Sequence, residues 1–221
     1  MSIANPKQAL YEQFAVVAKA LGHPQRLEII EHLAQGPRSV EVLAGKLGLP
    51  IANVSQHLQA MRRAGLVTSN RDGKFVNYCL ADERALMAFA AVRAVAERHS
   101  AEVERVVRRW FDPRDDMEPV SRAELVMRME NDLVTVIDVR PPDEFELGHL
   151  PGAINVPVTE LENYLVDLKP DHEIVAYCRG PWCVMSFEAI AELRKRGYRA
   201  RRLEEGLPEW RSVGFPVETG S

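Results

Sequence analysis

The chain has 221 residues, 46% of them hydrophobic and 27% charged, with a formal net charge of −4; this fits one or two globular domains of roughly 100–200 residues each. It shows no N-terminal charged-then-apolar signal pattern and no apolar run long enough to span a bilayer, and three cysteines do not make a disulfide scaffold, so the expected setting is a reducing cytoplasm with no membrane partner. Residues 1–112 hold 15 Lys+Arg against 11 Asp+Glu, a net of +4, and residues 113–221 hold 13 against 21, a net of −8; any polyanion is directed to the front half, although +4 alone lies within ordinary scatter.

In the front half, Leu10, Phe14, Val17, Ala18 and Leu21 recur at helical spacing. A second helix is predicted from about Pro24 to Leu33 and a third from about Val40 to Leu47. Gly48-Leu49-Pro50 reads as a tight turn before a fourth helix, Ile51 to Ala64, with Gly65 as its C-cap. Leu66–Asn70 and Lys74–Leu80 read as short strands joined by a hairpin turn at Arg71-Asp72-Gly73. One long helix is predicted from about Asp82 to Trp110, with Phe89, Val92, Ala96, His99, Val103, Val106 and Trp110 on a stripe that suits either a dimer core or a buried helix of one chain.

The stretch from Asp112 to Pro119 has two prolines and dense charge, the marks of a linker. The expected organisation is a first domain over 1–112, a linker over 113–120 and a second domain over 121–221. Ser121-Arg122-Ala123-Glu124 is a capping box opening a short helix. Strands at Val134–Val139, Ala153–Val156, Ile174–Tyr177 and Ala200–Leu203 then alternate with helices from Thr159 and over Met185–Arg196, the pattern of a mostly parallel sheet covered on both faces. The expected fold is a mainly-α winged helix-turn-helix followed by an α/β domain.

Two short helices, a tight turn and a following hairpin are what a DNA reader needs. The helix from Val40 would lie across the DNA backbone, and the helix from Ile51 would enter the major groove. Its face offers Asn53, Ser55, Gln56 and Gln59, amides and hydroxyls suited to base edges. His57, Arg62 and Arg63 suit phosphates or the helix end, Arg71 and Lys74 sit at the tip of the wing, and Ser39 can cap its helix and touch phosphate. Ala20-Leu21-Gly22-His23-Pro24-Gln25-Arg26-Leu27-Glu28-Ile29-Ile30, then Ser55-Gln56-His57-Leu58 and Ala64-Gly65-Leu66-Val67, resemble the ArsR family of winged-helix repressors over residues 8 to about 110. The resemblance implies a homodimer built largely on the first and last helices of this domain, a double-stranded operator with two half-sites, and release of DNA when an effector binds. The family's metal-sensing positions are not filled: Glu41-Val42-Leu43-Ala44-Gly45 holds no cysteine, and His99 and Glu102 have no paired Asp-x-His before them, whereas a metal site needs about three or four ligands. No metal and no cofactor are expected. Cys79 reads as a small buried hydrophobe, with a redox or persulfide role as the alternative.

In the back half, the apolar run Glu173–Tyr177 leads into Cys178, and a helix begins just beyond Arg179, Gly180, Pro181, Trp182, Cys183 and Val184. A thiol at a strand–helix junction faces converging N–H groups and the positive end of a helix, which favour the thiolate. An inert structural thiol is the plain alternative. Val136-Ile137-Asp138-Val139-Arg140 with Glu144-Phe145, then Gly148-His149-Leu150-Pro151-Gly152-Ala153-Ile154-Asn155-Val156-Pro157, Tyr177-Cys178-Arg179 and Glu205-Gly206-Leu207-Pro208-Glu209-Trp210, resemble the rhodanese family over 119 to about 218. The resemblance implies that Cys178 accepts sulfur from a small donor. The persulfide would be cradled by loop N–H groups from Arg179 onward, in the loop of Gly180, Pro181 (which has no N–H of its own), Trp182 and Val184, with Arg179 adding positive charge near the donor. The loop departs from the family in looking slightly longer than in its short sulfurtransferases. It carries Pro181 and Trp182 where those members hold small polar residues. It also lacks the closing arginine of the related phosphatases, which argues against phosphatase or arsenate-reductase activity. Cys183 either packs under the loop, attacks a Cys178 persulfide and expels sulfide, or shares a polysulfide bridge with it.

The combined expectation is a homodimeric transcriptional regulator that senses or processes reactive sulfur through a Cys178 persulfide. The rivals are a sulfurtransferase with an accessory DNA-binding domain and a thiol-based, metalloid-responsive repressor.

Overall fold

A computed structural model of the chain describes residues 5–73, 75–164 and 172–220. The chain divides into two compact units, Met1–Arg98 and His99–Ser221.

The first unit opens with α1, Pro6–Leu21, whose N-terminus is capped by Asn5: its side chain accepts the Gln8 N–H at 3.1 Å. Next come α2, Pro24–Gln35, and β1, Arg38–Ser39. Helix α3, Val40–Leu47, is capped by the Ser39 hydroxyl, which accepts the Val42 N–H at 3.3 Å. It ends at Gly48 with φ +64°, a left-handed conformation that favours glycine. That turn swings the chain into α4, Ile51–Arg63, which buries Val54, Leu58 and Met61 against Ile29, Ile30 and Leu43. Strands β2, Val67–Asp72, and β3, Phe75–Leu80, form the wing, an antiparallel sheet in the order β1-β3-β2. Strand β2 runs on to Asp72, so Arg71 pairs with Val76 inside the ladder instead of sitting in the turn. Lys74 lies outside the described residues.

The single helix expected from Asp82 to Trp110 is interrupted. Helix α5 covers Glu83–His99 and α6 covers Ala101–Val106, followed by a π-helical turn at Val107–Phe111. The cause is Ser100: its backbone is extended (φ −99°, ψ 112°) and its hydroxyl accepts the Val103 N–H at 3.4 Å. A serine that hydrogen-bonds its neighbours competes with the helix and starts a new one.

The second unit is built on four parallel strands in the order β5-β4-β6-β7: β4 Val134–Asp138, β5 Ile154–Asn155, β6 Glu173–Tyr177 and β7 Ala200–Arg202. Its helices are α7 Arg122–Glu130, α8 Pro142–Phe145, α9 Leu161–Tyr164, α10 Val184–Lys195 and α11 Leu207–Ser212. Alternation sorts the strand residues between two cores. Ile137, Ile174, Ala176 and Cys178 pack with Ala189, Ile190 and Leu193 of α10. Val136, Val175 and Tyr177 pack with Leu125 of α7 and Leu207 and Trp210 of α11. The acidic stretch before α7 is fastened to this sheet: the Asp115 carboxylate lies 3.0 Å from Arg194 and 2.9 Å from Arg202, and Val120 pairs with Leu203.

At the end of β4, Arg140 and Asp138 are both fully buried. The guanidinium Nη2 donates to Asp138 at 2.5 Å and to the Gly148 carbonyl at 2.7 Å. Removing one member of such a pair strands the other charge in the core, at a cost of about 3–5 kcal/mol. Arg140→Ala is therefore expected to lower the urea midpoint of the second unit by that equivalent, while the double change Asp138→Leu with Arg140→Met loses much less. Equal losses from both would show that the pair is not what holds this corner.

Candidate functional site

Cys178 directly follows β6 and is 1% exposed; Cys183, at the N-cap of α10, is 6% exposed. Their sulfurs are joined in a disulfide with the Cα atoms 6.1 Å apart, within the normal span for such a bond. The loop is closed by the Cys183 N–H donating to the Gly180 carbonyl at 3.2 Å, so this amide serves the turn and not an anion cradle. Gly180 is buried, Pro181 and Trp182 are half-buried, and Val184 is exposed on the first turn of α10.

Arg179 takes a different place from the one expected. Its Nε and Nη2 donate to the two carboxylate oxygens of Glu144, each at 2.8 Å, and Glu144 is fully buried. This fork braces the loop and compensates the guanidinium charge that was expected to face a donor. The far wall is the segment before α11. The Leu207 N–H donates to the Cys178 carbonyl at 3.3 Å. A Cβ on Gly206 would come within 2.4–2.5 Å of the Arg179 and Gly180 backbone, so only glycine lets the two backbones pass. Arg202 donates to the Pro181 carbonyl at 3.4 Å and lies 4.5 Å over the Phe187 ring; burial pushes its pKa down, against the pull of Asp115. Beneath β6, burial holds the Tyr177 phenol well above its usual range; it accepts the Leu150 N–H at 3.0 Å.

An aromatic group rests on the same loop. Phe111, the last residue of the π-helical turn, meets Trp182 edge-on at 5.0 Å and Phe187 at 4.8 Å. The sequence pattern alone carries no sign of the roles of Glu144, Gly206 and Phe111. Glu144 and Gly206 stood within the quoted motifs, but their partners lie on distant segments. Helical periodicity points to Trp110 and not to Phe111, because the bond from the Asp112 N–H to the Val107 carbonyl adds a residue to the turn and shifts the helical phase.

On the first unit, α4 exposes Asn53, Gln56, Gln59 and Arg62 on the side opposite its buried stripe. Ser55 is half-buried and its hydroxyl accepts from Gln59 Nε2 at 3.4 Å. Arg62 donates to Ser69 of the wing at 3.3 Å. His57 turns away toward α2: its ring lies 4.5 Å from that of His23 and its Nδ1 accepts from Arg26 Nε at 3.4 Å. Burial, then the neighbouring His23 and Arg26 charges, lower its pKa and favour the neutral ring, which weakens its case as a phosphate cation. Ser39 is buried with its hydroxyl on the α3 cap, while Arg71 is exposed on β2. Cys79 is half-buried and its sulfur lies 3.1 Å from the Thr68 hydroxyl. His99 is exposed, and among the described residues no three His, Cys, Asp or Glu side chains gather as a metal site. No described helix is long and apolar enough to cross a membrane.

A helix-turn-helix domain profile matches residues 21–70 and a rhodanese-like domain profile matches residues 121–213. An HTH-type transcriptional regulator of Mycobacterium tuberculosis is 42% identical over 215 residues, covering 97% of this chain and 94% of that protein. The chain belongs to the ArsR-type helix-turn-helix regulators that carry a C-terminal rhodanese domain. A sulfurtransferase of Allochromatium vinosum is 31% identical over 85 residues, covering 38% of this chain and 78% of that protein. Among solved structures, the homodimeric winged helix-turn-helix DNA-binding domain from Mycobacterium bovis is 38% identical and covers 46% of this chain and 94% of that one, with a TM-score of 0.42.

The Gly206 contact in this regulator is open to a direct check. Gly206→Ala is expected to overpack the loop and destabilise the second unit by about 1–3 kcal/mol, read as a lower thermal midpoint. Gly45→Ala, where a Cβ meets nothing within 4 Å, serves as the tolerated control. A wild-type midpoint for Gly206→Ala would remove the close passage as a constraint.

Proposed function

We propose that this regulator binds operator DNA as a homodimer and changes its DNA affinity when Cys178 accepts sulfur from a small donor. The observation that carries this reading is the Cys178–Cys183 pair, two sulfurs within bonding reach in the rhodanese loop of a transcriptional regulator. A Cys178 thiolate attacks the outer sulfur of a thiosulfate, polysulfide or low-molecular-weight persulfide and becomes a persulfide. Groove readout falls to Asn53, Ser55, Gln56 and Gln59, with Arg62 and Arg71 on phosphates. Dimerisation through α1 and α5 is supported by their uncovered apolar side chains: Leu10, Tyr11 and Phe14 on one and Met87, Val92 and Val95 on the other, each 44–63% exposed. The domain assignment that goes with this reading is 1–112 for DNA and dimer contacts and 121–221 for sulfur chemistry.

The similarity to a protein named sulfurtransferase supports a second reading, an enzyme whose DNA-binding half localises or regulates it. Turnover of thiosulfate to cyanide separates the two: fast turnover without any donor effect on DNA favours the enzyme.

The regulator reading is tested with an operator recovered by selection from random DNA. The reduced wild-type chain is expected to change its operator affinity on treatment with a hydropersulfide, and Cys178→Ser to show no change. If Cys178→Ser keeps the wild-type affinity and the wild-type donor response, the reading fails. On the same operator, Gln56→Ala and Gln59→Ala are each expected to lose about 1–3 kcal/mol and to relax base preference, whereas Arg71→Ala weakens all sequences alike. A uniform loss from the glutamine variants would remove them from base readout.

A further inference from the structure

We propose that Cys183 is a resolving thiol that reduces the sulfur accepted at Cys178 to hydrosulfide, so that the loop ends each turn as a disulfide and not as a sulfur carrier. The inference rests on the reading of Cys178 as the accepting thiol. Three observations carry it. The two sulfurs are bonded. Both cysteines are nearly fully buried, at 1% and 6% exposure, so once a donor has delivered its sulfur Cys183 is already beside it, whereas an outside acceptor needs a second entry to the loop. Arg179, the cation next to Cys178, is engaged by Glu144 at 2.8 Å, and the charge that would hold a long-lived persulfide anion is thereby compensated.

The step balances without an external oxidant. In the protonated persulfide, the Cys183 thiolate forms a bond to Cys178 Sγ as the bond from Sγ to the outer sulfur breaks. The outer sulfur takes that electron pair, keeps its proton and leaves as hydrosulfide. Counted from the two thiols and the donor's sulfane sulfur, the cysteine sulfurs together lose two electrons and the transferred sulfur gains two. An external dithiol resets the loop by exchange.

The test uses the full chain with Cys79→Ser, reduced, freed of reductant and treated with one equivalent of cysteine hydropersulfide. Released sulfide is assayed and the intact mass measured. The expected product is a chain lighter by two hydrogens together with one equivalent of sulfide. Cys183→Ser and Cys183→Ala are expected to end heavier by one sulfur atom and to release none. The proposal is overturned if the parent chain retains the extra sulfur, or if either variant releases sulfide as the parent does. A parent that retains sulfur and still alters operator binding leaves the sensing reading intact; a chain that takes up no sulfur removes both.

The geometry points to Phe111 as the residue that couples the loop to the helix ahead of it. Trp182 adjoins Cys183 in sequence, Phe111 sits against both Trp182 and Phe187, and a cavity of about 270 Å³ opens beside them, lined by Glu102, Val103, Val106, Val107, Phe111 and Trp182. Closing or opening the Cys178–Cys183 bond repositions Trp182, the cavity gives its ring room, and the seat of Phe111 changes with it. Residues 101–111 continue the chain from α5, so the change reaches the first unit along the backbone. Phe111→Leu is expected to release sulfide like the parent while its reduced and disulfide forms differ less than twofold in operator affinity. The parent forms differ by about tenfold, within the ordinary range of coupling, and Phe111→Tyr retains that difference. A parent-sized difference in Phe111→Leu, or its loss in Phe111→Tyr, overturns the coupling role.

Discussion

Burying a carboxylate without a partner is among the most expensive things a fold can do, and the rhodanese unit buries Glu144 completely. That constraint organises the loop. The fork from Arg179 supplies the compensating charge, and Arg179 is the residue after Cys178, so satisfying Glu144 also fixes where the thiol sits. A second buried pair, Asp138 with Arg140, stands at the end of the neighbouring strand. Two buried carboxylates are thus matched by two guanidiniums at the carboxyl ends of β4 and β6, which is where parallel sheets place their reactive loops. The arrangement exchanges an available positive charge for a fixed loop. A site of this kind is suited to holding two sulfurs in register, and less to capturing a dianionic donor by charge.

Strand alternation does the rest of the positioning. Ile174, Ala176 and Cys178 point to the α10 face, and Cys183 is the residue from which α10 starts. A thiol on the other face would join Val175 and Tyr177 under α7 and α11, out of reach of Cys183. Gly206 closes the loop from the other side because no side chain fits between it and the Arg179 carbonyl. Bond formation between the cysteines is therefore a property of the framework as much as of the loop.

Much of this was legible in the residues alone. The stripe of Val54, Leu58 and Met61 declares which face of α4 is buried and so which amides are outward. The apolar run into Cys178 declares the strand–helix junction. What was not legible had a common cause, a local signal overruled by a partner far along the chain or by one polar side chain. His57 looked like a free cation on the reading helix, but His23 and Arg26 lie beside it in space. Arg179 looked like a donor-facing charge, but Glu144 lies 35 positions away. The apolar stripe after Asp82 continues past Ser100, and only the serine's competing hydrogen bond divides it. Strand β2 runs two residues past Asn70, which puts Arg71 in the ladder and not in the turn.

The energetics of the aromatic contact match what a regulatory link requires. Coupling of about 1–3 kcal/mol is enough to change an affinity by roughly 5- to 150-fold. An aromatic pair contributes about 0.5–1.5 kcal/mol beyond its buried area, and Phe111 makes one such pair with Trp182 and another with Phe187. In the proposed coupling, losing or rebuilding one of the two as the loop changes state would supply a free energy of the needed size without unfolding anything. A larger grip would lock the helix in one position, and a smaller one would leave the DNA-binding half unaware of the thiols. The acidic stretch beyond the helix is itself anchored, with Asp115 between Arg194 and Arg202. In the proposed coupling, a shift at Phe111 would have this anchored stretch as a fixed point on its C-terminal side.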